Sequence, residues 1–353
     1  FIGIAPHVTL DYFSDDVIAD LQRYQSLDNN LRLLRDNQPW EIDFENEDHF
    51  HTFSNNISLE GLTTSTQFHL KVPYVDLVDV YNLSQWISPI MVALSANAPF
   101  IQGLSLWHES RIPLFHQTVT EHKISGVDDC IEDRVLFGKG FITSIEDIFA
   151  ENFNYQLLLE PDNNLAVKDF PFHLLRLQNS TIWRWNRVVF GAQSHQNIHL
   201  RIEHRSQSAG TSPVDIAANF ALYIGLIRYW FKHKNVQFNS EKYLQLKETF
   251  FHAAKYGLDG LFKSDLYGSY QSVPDLFDGL IEKAMVGLIS LGISKQESEY
   301  YLKEILAQRM HLKLNGATWQ LKTAKNLGKI TDMFECYLAN QKALQPIHKW
   351  QQT

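Results

Sequence analysis

The strongest alternation in the chain runs through IHLRIEHR at 198–205. Read as a strand, it turns Ile198, Leu200 and Ile202 to one face and His199, Arg201, Glu203 and Arg205 to the other. A second alternating stretch, TSTQFHLKV (64–72), sends Phe68, Leu70 and Val72 one way and Gln67, His69 and Lys71 the other, and Pro73 ends it. The aromatic and β-branched run TIWRWNRVVF (181–190) predicts a further strand. Only the polar loop GAQSHQN (191–197) separates it from the first, so the two are expected to pair as a hairpin. WEIDF (40–44) and HFHTF (49–53) predict two short strands joined by an acidic turn.

Helical signals alternate with these and then take over. Ser14 is the expected N-cap of a helix reaching about Leu34, with two aspartates in its first turn. Ser84 is the expected cap of a helix ending at Ser95. Ser212–Pro213 predicts the start of a long buried helix. Further helices are expected at 240–255, 274–291 and 295–309. The last has Ser294 and Glu297 at capping-box spacing, and Gly257 and Gly292 close the first two. LNGATWQ (314–320) is read as a loop. Half-buried alternating strands suit an antiparallel sheet. The expected class is therefore α+β: a sheet with a concave polar face, backed by helices. A single domain over 1–353 is expected, mixed over 1–211 and mainly helical over 212–353.

Charge narrows the partners. With 31 basic and 40 acidic residues the net charge is −9, which disfavours nucleic acid, whose phosphates need clustered Lys and Arg. Cys130 and Cys336 lack a CxxC partner, which excludes a zinc or redox motif of that kind and fits a reducing cytoplasm, although a single disulfide stays open. The longest apolar stretch, 216–230, is shorter than a membrane span and contains Asn219 and Arg228. No membrane association is expected.

Candidate chemistry gathers on the polar strand faces. His69 and Glu203 come from different strands and Glu60 lies on the approach to the first. Two carboxylates and an imidazole could hold Mg²⁺ or Mn²⁺, and Arg201 and Arg205 could fork onto phosphate oxygens. Taken alone, a Glu flanked by Arg on a strand also reads as a solvated ion-pair row. Trp183, Trp185 and Arg187 share a strand face, either as core aromatics with a snorkelling Arg or as a pocket wall. Arg111 ends an aromatic-rich segment and could clamp a carboxylate. His49 and His51 have metal-like spacing, but fifteen histidines produce such pairs by chance. FGKGF (137–141) is too short for a phosphate loop, and no GxSxG elbow is present.

Five blocks in order resemble glutamate–cysteine ligase family 2, the carboxylate–amine ligases related to glutamine synthetase: LEGLTTSTQFHLKVP, ALSANAPFIQGLSLWHESRIPLF, NSTIWRWNRVVF, LRIEHRSQSAGTSPVDIAANFALYIGL and NGATWQ. The resemblance implies an ATP-dependent ligase that activates a carboxylate, typically of glutamate, for attack by cysteine or another amine. It implies Glu60, His69 and Glu203 as ligands of Mg²⁺ or Mn²⁺, Arg201 and Arg205 on the transferring phosphoryl group, and Arg111 on the amino-acid substrate. Gln67 replaces the first polar residue of the family's HxH-like strand motif, and Trp183, Asn186 and Arg187 would line the pocket. Family members normally open with a strand of closely spaced glutamates, whereas FIGIAPHVTLDYFS resembles the region after it. The expectation is thus a chain lacking part of the acidic metal set, with a noncatalytic nucleotide- or amino-acid-binding relative as the alternative. An open sheet edge would invite a second copy, making a homo-oligomer.

Overall fold

The computed structural model describes residues 1–13, 17–121, 133–160, 172–192, 197–262 and 271–351. The chain is α+β, with small antiparallel sheets and a helical C-terminal region. Helix α1 (Gln22–Leu34) precedes a hairpin of β1 (Trp40–Glu45) and β2 (His49–Ser54). Trp40, Ile42 and Phe44 are buried beneath β1, while Glu41, Asp43 and Glu45 face outward. A 3-10 turn (Ile57–Leu62) leads to β3 (Phe68–Val72), and α2 (Leu77–Ser95) follows. The short strands β4 (Phe100–Ile101) and β5 (Leu104–Ser105) then precede α3 (Arg111–Thr118). Next come β6 (Val135–Leu136), α4 (Ile145–Asn152), α5 (His173–Asn179) and β7 (Trp183–Arg184), with β6 and β7 paired in parallel.

The central sheet is antiparallel in the order β3–β9–β8, where β8 is Asn186–Ala192 and β9 is Ile198–His204. The expected 181–190 strand is therefore split. Trp185 donates its amide to Leu136 O and its carbonyl accepts from the Arg205 amide, so its two neighbouring segments join different sheets. One face of the central sheet rests on helices: Phe68 packs against Phe220 at 4.8 Å, and Asn186 Nδ2 donates to Ser88 Oγ at 2.9 Å.

Those helices are α2 and α6 (Pro213–His233). Ser212 caps α6 by accepting from the Asp215 amide. Then come α7 (Ser240–Tyr256), α8 (Val273–Ser290), and α9 (Lys295–Glu299), which continues through a π-helical segment (Tyr300–Ala307) into α10 (Gln308–His311). Helices α11 (Gly316–Leu327) and α12 (Ile330–Lys342) close the order.

Three helix boundaries differ from the sequence reading. Helix α1 begins at Gln22, and the expected cap Ser14 lies outside the described residues. Helix α2 begins at Leu77, so Ser84 is interior; its hydroxyl bonds back to Val80 O and meets Tyr223 Oη at 2.8 Å. A helix buried on almost every side has no polar stripe to mark its start. The expected loop at NGATWQ is the first turn of α11, because the Asn315 side chain accepts from the Thr318 amide and caps it. Cys336 is free, and Cys130 lies outside the described residues. No helix among the described residues is long and apolar enough to cross a membrane.

Helices α6 and α8 cross in backbone contact. A Cβ on Gly287 would stand 1.9 Å from Gly225 O, and one on Gly225 would stand 2.6 Å from Ala284 O. Both neighbours are main chain and cannot swing aside. Gly287→Ala is expected to destabilise the fold by about 1–3 kcal/mol, the usual cost of overpacking. Urea denaturation would register it as a lower midpoint; an unchanged midpoint would mean the helices part without penalty.

Candidate active site

The open face of the central sheet carries two rows of side chains fixed by strand register. His69, Glu203 and Arg187 stand abreast across β3, β9 and β8; Lys71, Arg201 and Val189 form the next row, one two-residue step away. Such a step along a strand is roughly 7 Å. Glu203 is the centre of the first row and only 3% exposed. Its Oε2 lies 3.1 Å from Arg187 Nη2 and 3.6 Å from His69 Nε2, while its Oε1 lies 3.9 Å from Arg205 Nε. Only the Arg187 contact is short enough for a good hydrogen bond.

Several polar atoms here lack partners. Glu203 Oε1, Arg187 Nε and Arg201 Nε are all buried without a hydrogen bond. Buried polar atoms are rarely left so. An acceptor facing one way and guanidinium donors facing another match a ligand that brings both a cation and oxyanions.

The surrounding fields are consistent with this. Burial, then Arg187, bring the Arg205 guanidinium down to about 10 against the pull of Glu203 and Glu60, which still leaves it charged at neutral pH. Burial pushes the Glu60 carboxyl up, with Arg205 opposing. Burial lowers His69 despite Glu203, and Arg201 and Arg187 add to that lowering, so its imidazole favours the neutral form. Four cationic side chains, Lys71, Arg187, Arg201 and Arg205, thus meet two carboxylates.

The structure sorts the other expected residues. His69 and Glu203 come together, and Glu60 is linked to them through Arg205. The three do not close into one compact ligand set, however. Among the described residues, the side chains whose donor atoms all lie within 4.8 Å of one another are Glu41, Asp43 and His51, on the outer face of β1 and β2. Gln67 lies just before β3, in a shallow cleft beside Pro213 and Phe220. Asn186 does not line the open face with Arg187: strand alternation turns it to the helix side, where Oδ1 accepts from His204 Nδ1 at 2.7 Å. Trp183 is half-buried against Phe115. Arg111 is 2% exposed, inside the protein rather than at a surface. Its Nε donates to Glu109 Oε1 at 2.9 Å, its Nη2 donates to Ser206 O at 2.6 Å, and its guanidinium lies 5.4 Å from the Trp185 ring centre. It braces the chain just beyond β9.

Sequence reading missed the layer beneath. His204 is buried, accepts from Ser206 Oγ through Nε2 and stacks on Tyr223 at 4.6 Å. Its place at even parity after Ile202 is the signal that could have found it. At the Val72/Ile198 end of the sheet, an apolar cavity of about 770 Å³ is walled by Tyr74, Phe149, Phe172 and Phe190, with Lys71 and His199 beside it. Its lining comes from four distant segments, which no local pattern reveals.

The family model of glutamate–cysteine ligase family 2 matches residues 2–267. The chain belongs to that family. The match covers the whole central sheet and its helical backing, and it makes the chain a member of a ligase-type family. No curated protein matches the chain. In this member of glutamate–cysteine ligase family 2, the LRIEHR segment lies on β9 and the residue just beyond it, with Glu203 one residue from the strand's end.

A histidine behind Trp185 gives the fold an expected acid sensitivity. Trp185 Nε1 donates to His116 Nε2 at 3.3 Å, and burial, followed by Lys247, pushes His116 down to about 3. An unfolded histidine titrates near 6.5. Between those values the unfolded chain takes up a proton that the folded chain refuses, so stability falls as pH falls, by about 1.4 kcal/mol per pH unit. His116→Gln keeps an acceptor for Trp185 and should reduce the loss of urea midpoint between about pH 7.5 and about pH 5.5. An identical loss in the variant would place the acid sensitivity elsewhere.

Proposed function

We propose that this protein is an ATP-dependent carboxylate–amine ligase that activates a side-chain carboxylate of glutamate, or of a similar acid, as an acyl phosphate for attack by an amine. The observation that carries the reading is the buried Glu203, with its unpartnered Oε1, set among Arg187, Arg201 and Arg205 on one sheet face. In the reaction a carboxylate oxygen attacks the γ-phosphorus and ADP leaves. The amine nitrogen then attacks the acyl carbon, phosphate leaves, and the nitrogen gives up a proton.

Arg201 and Arg205 would hold the equatorial oxygens of the transferring phosphoryl group, where fixed charges act most strongly in a partly dry site. Arg187 anchors Glu203 in place. Glu203, with His69 Nε2 near its Oε2 and Glu60 nearby, would hold Mg²⁺ or Mn²⁺, which would supply neutralising charge for the phosphate oxygens. The aromatic cavity by Tyr74 and Phe190 suits the nucleobase, with Lys71 leading from it toward Arg201. Arg111 would act on the amino acid only by positioning Ser206 and Trp185. The noncatalytic alternative draws support from Glu203 Oε2 already lying beside Arg187 and His69.

The test is a hydroxylamine trap with Mg²⁺, ATP and glutamate. Hydroxamate is expected from the wild type, and Glu203→Gln is expected to lower its rate by about a hundredfold or more while the variant melts as a folded protein. A folded wild type that gives no hydroxamate with glutamate or other acids would favour the binding relative. An unaltered rate in Glu203→Gln would remove Glu203 from the chemistry.

A further inference from the structure

The hairpin of β1 and β2 forms a sheet of its own, apart from the one that carries Glu203. Trp40, Ile42, Phe44 and Phe50 bury its inner face, so alternation sends Glu41, Asp43, His49 and His51 outward together. Register sets Asp43 directly opposite His51, with His49 one two-residue step further along. Two diagonal contacts then cross between the strands. His49 Nε2 lies 2.6 Å from Asp43 Oδ1, and His51 Nε2 lies 3.1 Å from Glu41 Oε1. The backbone is anchored at the same place: the Asp43 amide donates to Gln117 Oε1 at 2.6 Å, and Gln117 Nε2 donates to Asp43 O at 3.0 Å, tying β1 to α3.

Two observations separate this arrangement from a pair of ordinary surface ion pairs. The first is convergence. Donor atoms of Glu41, Asp43 and His51 all lie within 4.8 Å of one another, and His49 closes on the same Asp43 carboxylate. A tetrahedral zinc ion, with bonds of roughly 2.0–2.2 Å, holds its ligand atoms roughly 3.4 Å apart, so side-chain torsions alone can bring these four inward. Their kinds also match: two imidazole nitrogens with two carboxylate oxygens suit a borderline dication, whereas Mg²⁺ and Ca²⁺ take oxygen. The second is the field. Between residues 36 and 70 the sequence has no Lys or Arg, while Glu45, Glu47 and Asp48 adjoin the cluster. The existing His–carboxylate contacts are largely exposed and so contribute little. An ion that replaced them would displace little stability.

We propose that the outer face of the β1–β2 hairpin binds a zinc-class dication through the imidazoles of His49 and His51 and the carboxylates of Glu41 and Asp43. The site goes beyond the ligase reading and uses none of its residues. Because the ligands come from both strands, the ion staples the hairpin in its observed register. Binding that needs that register favours the folded chain, so zinc raises its stability.

Isothermal titration of the whole chain with Zn²⁺ tests the proposal, with urea midpoints measured in parallel. Saturable zinc binding and a higher midpoint in its presence are expected. His51→Gln and Asp43→Asn should each weaken binding by about tenfold or more. Both side chains lie on an exposed face, so both variants should keep the wild-type midpoint without zinc. His69→Gln, on the open face of the central sheet, should leave zinc affinity unchanged, and a large excess of Mg²⁺ should not displace the zinc. No saturable binding would overturn the proposal, as would wild-type affinity in either hairpin variant. Binding lost in His69→Gln but kept in the hairpin variants would assign the ion to the central sheet instead, and displacement by Mg²⁺ would rule out the nitrogen-containing ligand set.

Discussion

A carboxyl group almost wholly removed from water is the constraint around which this sheet is arranged. Such a group is costly unless cations or donors stand within reach. For Glu203 they come from three directions: His69 from one neighbouring strand, Arg187 from the other, and Arg205 from the chain just beyond β9. A slip of one residue in either pairing would exchange Glu203 for Ile202 or His204 and reverse the two faces. Register is therefore not a detail of the fold but the condition for the site. It is held from behind, where Asn186 links β8 to α2 through Ser88 and His204 stacks on Tyr223 of α6.

The same logic repeats in the scaffold. Arg111 with Glu109, Arg184 with Glu151 and Arg309 with Asp215 are buried ion pairs, each supplemented by a main-chain carbonyl, from Ser206, Ile148 and Leu94 respectively. Pairs of this kind contribute little net stability, since desolvation offsets much of their attraction. What they supply is direction: a guanidinium that must meet both a carboxylate and a particular carbonyl tolerates few alternative packings. Arg111 shows how this bears on function. It touches the segment after β9 and the Trp185 ring, so it acts on the open face by holding that face's supports.

Legibility in the sequence followed the range of the forces involved. Strand alternation is local, so the facing of Phe68, His69, Lys71, Arg201 and Glu203 could be read directly, and the Ser212–Pro213 helix start likewise. Burial on all sides erases that signal, so the sequence puts the cap of α2 at Ser84, eight residues beyond the observed cap Asp76, and reads the segment capped by Asn315 as a loop. The break at Trp185 depends on hydrogen bonds to Leu136 and Arg205, one of them far away in sequence. The family resemblance groups Asn186 with Arg187 in one pocket, although adjacent strand residues must face opposite ways.

Charge on the open face also bears on the order in which a ligand's parts would arrive, if the face handles a nucleotide. Two carboxylates among four cationic side chains offer a bare divalent cation a field that is net repulsive, while a polyphosphate meets an attractive one. A dication already chelated by phosphate carries a net negative charge and escapes that penalty. Glu203 Oε1, buried and unpartnered, is then a single acceptor waiting behind a ring of donors rather than a ready-made metal cage. That arrangement agrees with the failure of Glu60, His69 and Glu203 to close into a compact ligand set. With few protein oxygens converging, most of the ion's shell would have to come from substrate and water, which is how Mg²⁺ is commonly held beside phosphates.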